Sequence, residues 1–149
     1  MSASTRWMIA TVVVFLTWSP ALRASAPSGR FTVFADTVKD EVTGLTWQRA
    51  VSATVHTQSS ASAYCQSLNL GGSSAWRLPT VKELTSIVDR RASLPAIDGT
   101  VFPNTEPSDW FWTSSVCADS AGYVWAISFE YGDTFRAGVA SDHKARCVR

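Results

Sequence analysis

The chain has 149 residues, 46% of them hydrophobic and 17% charged, with a formal net charge of +1. That length suits one domain with its own core, and the balance lacks the basic excess of a general nucleic-acid binder. Three cysteines allow one internal bridge and leave one over, with the pairing open at this point.

Residues 1–26 read as a secretory signal. Arg6 supplies the charged start, and Trp7 to Trp18 is apolar but short of the about 20 residues a spanning helix needs. Ala24 and Ala26 spell an A-x-A cleavage site, so no membrane insertion is expected after processing. Removing Arg6 and Arg23 takes the 13 basic residues to 11 against 12 acidic ones, a net of −1. The expected location is secreted, periplasmic or extracellular, where the cysteines meet oxidising conditions.

Residues 27–30 form a short lead-in, and residues 31–149 form the domain. "RFTVF" alternates and is β-rich, which predicts a strand over 30–34. Thr43-Gly44 makes a turn before a strand with Leu45 and Trp47 on one face. From Thr57 the period changes: Ala61, Tyr64, Cys65 and Leu68 mark one side of a helix, with Cys65 facing inward. Gly71-Gly72 is expected to close that helix.

In "WRLPTVKEL", Pro79 keeps Leu78 out of the helical region, so Trp76–Leu78 is extended. Thr80 then caps a second helix, with Glu83 completing a capping box. Val81, Leu84, Ile87 and Val88 form its buried stripe. Arg90 and Arg91 suit its C-terminal end, and Pro95 prevents continuation. Within the nonamer only Arg77 and Lys82 have no local structural role.

Residues 96–109, "AIDGTVFPNTEPSD", read as an irregular loop. "WFWTSS" is a strand, and "YVWAISFEYGDTFRAGVA" a hairpin turning at Gly132-Asp133, with Tyr123, Trp125, Ile127 and Phe129 on one face. "KARCVR" is a last short strand. Two early helices with strands before and after them make an α+β fold.

The segments "TGLTWQR", "AYCQSLNLGGSSAWRLPTVKEL", "SIVD", "PAIDGTVFPNT", "FWTSS" and "ARCVR" stand in this order. Together they resemble a bacterial domain-of-unknown-function family, that of the Lcl C-terminal domain, which includes the C-terminal domain of a collagen-like adhesin. The resemblance covers residues 31–149. It implies a C-type-lectin-like fold of the variety shared with formylglycine-generating enzymes, two helices flanking one twisted antiparallel sheet with a long irregular loop. It also implies an envelope or extracellular location and, in the adhesin relative, recognition of sulfated polysaccharide by a trimer. An oligomer is compatible with the sequence. In lectin-like folds a bridge commonly joins the first helix to the last strand, which implies a Cys65–Cys147 pair and agrees with an inward Cys65.

Catalytic chemistry finds little support in the sequence. His56 and His143 lie near no nucleophile motif, and no metal-ligand spacing such as C-x-x-C is present. Cys117 in "SSVCADS" has no neighbouring cation to lower its pKa, so a cysteine-dependent oxidoreductase is a distant alternative. No cofactor is expected. Calcium is compatible with Asp98, Asn104, Glu106, Asp109 and Asp119 but is not predicted, because Ser108 replaces the amide of the animal-lectin Glu-Pro-Asn loop.

The expected function is a non-catalytic, adhesin-like module binding a polysaccharide or a surface protein through the 98–122 loop and adjoining strands. Trp110 and Trp112 are its aromatic candidates, while Trp47, Trp76 and Trp125 alternate with core residues. Asp109, Asp133, Arg136 and Lys144 are the polar candidates, with Arg146 noted beside Lys144 as a further cation for anionic groups. The alternative is a structural or protein-interaction module of the envelope.

Overall fold

The computed structural model describes residues 27–149; the signal expected over residues 1–26 lies outside them. The element order is β1 (Phe31–Val33), β2 (Thr37–Asp40), β3 (Thr46–Gln48), α1 (Gln58–Ser67), α2 (Val81–Ser86), β4 (Trp110–Val116), β5 (Tyr123–Ser128) and β6 (Thr134–Gly138). The fold is α+β, as expected. It contains two three-stranded antiparallel sheets, β1-β2-β3 and β4-β5-β6, so the expectation of two helices flanking one sheet is corrected. Strand β2 has no counterpart in the sequence reading. Its four residues TVKD carry one strong apolar side chain, Val38, which is fully buried by tertiary packing.

The C-terminal segment, expected to be one strand, is instead the seam between the sheets. Gln48 N–H donates to the Cys147 carbonyl (2.8 Å) and Thr46 N–H to that of Arg149 (2.9 Å), on the β3 side. Trp112 N–H donates to the Lys144 carbonyl (3.0 Å) on the β4 side, and Arg77 and Val148 exchange bonds of 3.0 and 2.9 Å. No single partner strand runs along this segment, which is why it forms isolated bridges rather than a ladder.

Helix α1 follows the expected pattern, with Thr57 as cap and Ala61 and Cys65 buried. It stops earlier than expected, because Leu68 is already extended. Gly71 and Gly72, both at positive φ, form a two-residue turn closed by reciprocal Leu70–Ser73 hydrogen bonds of 3.1 Å.

Helix α2 carries the capping box, and Leu84 and Ile87 are buried beneath it. It also ends early, so Arg90 and Arg91 lie beyond its last turn. The hairpin seals that end: a Cβ at Gly132 would collide with Val88 Cγ1.

Arg77, left without a role by the sequence, has one. Its guanidinium grips Glu83 through two bonds, 2.9 Å to Oε2 and 2.7 Å to Oε1. The Arg77 hydrogen bond, set against burial and aided by the Thr80 N–H and hydroxyl, brings the Glu83 carboxyl down to about 2. A carboxyl lowered from 4.5 contributes stability above that value and loses it as pH falls toward 2. Glu83→Gln keeps the cap and removes the ion pair, whose Arg77 side is half exposed. It should therefore cost only about 1 kcal/mol at neutral pH. Urea denaturation across the acid range should show a shallower pH dependence in this variant than in the parent protein.

The expected free loop is corrected as well. Ala96, Ile97, Asp98, Val101, Phe102 and Thr105 are buried, and Ile97 and Phe102 belong to the core with Leu84, Phe111 and Phe129. Leu94 N–H donates to the Glu130 carbonyl (2.8 Å) and Phe102 N–H to the Asp98 carbonyl (2.8 Å), so the stretch is folded onto the hairpin without regular structure. Ile97, Val101 and Phe102 are the apolar signal that the breakers masked.

The implied bridge is present. Cys65 and Cys147 are disulfide-bonded with Cα atoms 5.5 Å apart, and Cys117 is free and buried. Among the described residues no helix is long and apolar enough to cross a membrane.

Candidate ligand-binding face

Register decides which side chains of the β4-β5-β6 sheet share a face. Trp112, Ala126 and Phe135 are opposed across the strands, as are Phe111, Ile127 and Thr134 on the other side. Trp110, Trp112, Val124 and Ala137 therefore lie on one face. Phe111, Ile127, Trp125, Arg136 and Tyr123 lie on the other.

The six sequence candidates do not come together. Trp112 is fully buried, with its indole N–H on the His56 carbonyl, so its role as a ligand platform is corrected. Trp110 is half-buried against Phe135, their ring centroids 3.9 Å apart. Asp109 ends the preceding turn, its N–H donating to the Glu106 carbonyl at 3.1 Å. Lys144 is no free cation: its ammonium donates to the carbonyls of Ser52 (3.3 Å) and Ala53 (3.0 Å). Asp133 stands exposed at the hairpin turn, its carbonyl accepting from Ser128 N–H. Arg136 alone projects from the opposite face, and Arg146 is buried in the core.

Around Arg136 the sheet presents a different group. Trp125 is its cross-strand partner, and the guanidinium carbon stands 5.6 Å above the indole ring. Asp119, on the turn after β4, accepts from Arg136 at 2.8 Å, and the Ser120 hydroxyl lies at 3.3 Å. Tyr123 is 47% exposed, and Gly138 opposite it leaves the ring uncovered. Beneath them the sheet is fixed, because Thr113 Oγ1 donates to the Trp125 carbonyl. The site is thus two aromatic rings and a fork of N–H donors on a rigid strand pair.

The sequence placed Trp125, on one face with Tyr123 and Ile127, among the core residues, and this is corrected: Trp125 is half-buried and belongs to neither core cluster. All three do share a face, but the core covers only the Phe111–Ile127 end of it. Arg136 and Gly138, opposite Trp125 and Tyr123 on the returning strand, were the available sign that this end is open.

Among the described residues no group of three or more His, Cys, Asp or Glu could hold a metal ion. Of the calcium candidates, Asp98 turns its Oδ1 onto Thr100 and Val101 in its own loop, and Asp119 engages Arg136. His56 and His143 face each other across paired backbone bonds of 2.8 and 3.0 Å. Burial lowers both imidazoles, with Lys144 lowering His56 further and Asp142 partly opposing the shift at each.

Residues 36–149 match the Lcl C-terminal domain family, a span that holds every strand and helix except β1, together with the disulfide and the Tyr123–Arg136 face. The chain belongs to the Lcl C-terminal domain family. A search of curated proteins found no match. In this Lcl C-terminal domain the segments around Trp47, the Thr80 cap and the seam are structural, while Tyr123 and Arg136 are exposed and Trp125 between them is half-buried.

Proposed function

We propose that this is a secreted, non-catalytic binding module of lectin-like type that recognises a polysaccharide or another cell-surface ligand through the Tyr123–Trp125–Arg136 face. The observation that carries it is an exposed ring, Tyr123, and a half-buried one, Trp125, beside an exposed arginine, held on hydrogen-bonded strands. Aromatic faces stack on the C–H faces of sugar rings, and Arg136, which already donates to Asp119 and Ser120, keeps further guanidinium N–H groups for ligand oxygens. The bridge of Cys65 to Cys147 supports an oxidising compartment.

A glycan array tests this, run with and without calcium and at raised salt. Trp125→Ala should weaken glycan retention about five- to tenfold, the loss of one stacked ring. Raised salt should weaken anionic glycans more than neutral ones, since Arg136 is screened at the surface. Retention unchanged by Trp125→Ala would overturn the assignment of this face.

The protein-interaction reading rests on a separate feature. Strand β1 is a sheet edge, and Val33 and Phe34 beside it are 43% and 55% exposed. A cysteine-dependent activity would need access that the burial of Cys117 denies.

A further inference from the structure

Charge decides which glycans suit the Tyr123–Trp125–Arg136 face. Arg136 is the only charged residue of β4, β5 and β6. Its partner comes from outside the sheet: Asp119, on the turn after β4, stands 2.8 Å away through Oδ2. The two formal charges cancel, so the polar part of this face carries no net charge.

Both partners are open to a ligand. The Arg136 and Asp119 side chains are 46% and 63% exposed, and an ion pair this wet adds little to stability. What it does is pair a donor with an acceptor at the surface. Arg136 directs Nη2 to Asp119 and Nη1 to the Ser120 hydroxyl, and its other N–H groups stay available. Asp119 accepts through Oδ2, and no bond among the described residues is directed to its Oδ1. Beside this pair stand the exposed Tyr123 ring and the Trp125 indole beneath the guanidinium.

Adjacent hydroxyls of a sugar match such a pair, since one can accept while the next donates, and they bring no charge. An ionised acid group offers acceptors only. It would leave Asp119 unanswered and meet its negative charge on the way to Arg136. We infer that Asp119 is the specificity-determining residue of this face, cancelling the Arg136 charge so that the face selects neutral glycans over anionic ones. One sugar hydroxyl accepts from Arg136 and its neighbour donates to Asp119. The inference rests on the binding reading of this face and adds to it the class of glycan.

The test compares retention of the purified chain on immobilised glucan, mannan and galactan and on the sulfated form of each. The parent protein should be retained better by at least one neutral glycan than by its sulfated form. Asp119→Asn keeps the size and one acceptor oxygen and removes the charge. It should raise retention on the sulfated forms about fivefold at low salt, a gain that raised salt abolishes. It should also lower retention on the neutral glycan about threefold, because a charged acceptor becomes a neutral one. Trp125→Ala should weaken retention on both kinds. Stronger retention of the parent protein on the sulfated forms overturns the inference, as does an unchanged preference in Asp119→Asn. Either result leaves the face itself standing if Trp125→Ala still weakens retention. Retention indifferent to Trp125→Ala, or absent on every glycan, removes both the face and the inference.

Discussion

Replacing Cys65 and Cys147 together by alanine should lower the unfolding free energy by about 4 kcal/mol, measured by urea denaturation under non-reducing conditions. The two residues are separated by 82 positions, so the bridge closes most of the domain into one loop. Restricting so long a loop removes chain entropy from the unfolded state, and the benefit grows slowly with length. The folded state adds a local reason. Cys65 is the buried face of α1 and Cys147 the middle of the seam, both fully inaccessible, so the bond ties the helix to the line where the sheets meet. A domain of this size has about 5–15 kcal/mol in total, so the variant should fold but unfold at much lower urea. Cys117→Ala, at a buried thiol with no disulfide partner, should cost only about 1 kcal/mol. If both changes cost the same, cavity formation rather than the cross-link explains the loss.

The legible parts of this fold were those whose cause is local. Thr80 and Glu83 specify a cap through atoms three residues apart, and the structure has it atom for atom. Ala61 and Cys65 declare the inner side of α1 by spacing alone. The illegible parts depend on what lies across the chain. Alternation shows that Tyr123, Trp125 and Ile127 share a face, yet only tertiary packing decides where cover ends along it. The seam reads as a strand by composition, but its partners are three different segments, so it pairs in single bridges. Residues 96–105 contain breakers enough to forbid a helix or strand, and breakers say nothing about burial. Trp112 was a fair candidate only while its neighbour across the sheet was unknown. The site suffered most, because a binding face is defined by what does not cover it.

Arg146→Met should leave the domain within about 1 kcal/mol of the parent protein, or more stable, whereas Arg146→Ala should cost about 3–5 kcal/mol. Arg146 is fully buried on the seam, and burial pushes its guanidinium down to about 9, so it remains charged at neutral pH. Among the described residues no carboxylate pairs with it. Nη1 donates to the Arg49 carbonyl at 2.9 Å and Nη2 to the Thr105 hydroxyl at 2.8 Å, while Nε has no hydrogen-bond partner. The rest of its environment is aromatic, with the Phe102 ring 4.9 Å and the Phe111 ring 5.9 Å from the guanidinium carbon. Two hydrogen bonds and two ring faces offset a desolvation cost of several kcal/mol only in part, so the charge itself adds little net stability. The volume matters more. Arg146 fills the space between the seam and residues 102–105, and methionine can occupy it with polarizable atoms against the same rings. Alanine would leave a cavity beside Phe102 and Phe111 that methionine fills; the Arg49 carbonyl loses its donor in both variants, and the Thr105 hydroxyl still donates to the Phe102 carbonyl in both. Arg146→Lys separates the two effects, since it keeps the charge but has neither the planar stack nor the fork, and it should fall near alanine. Hydrogen exchange at the Phe102 amide, which donates to the Asp98 carbonyl, reports the consequence directly. It should quicken in the alanine and lysine variants and stay slow with methionine. A methionine variant as unstable as alanine would instead show that the buried charge, held between two rings, is what locks the 96–105 segment onto the seam.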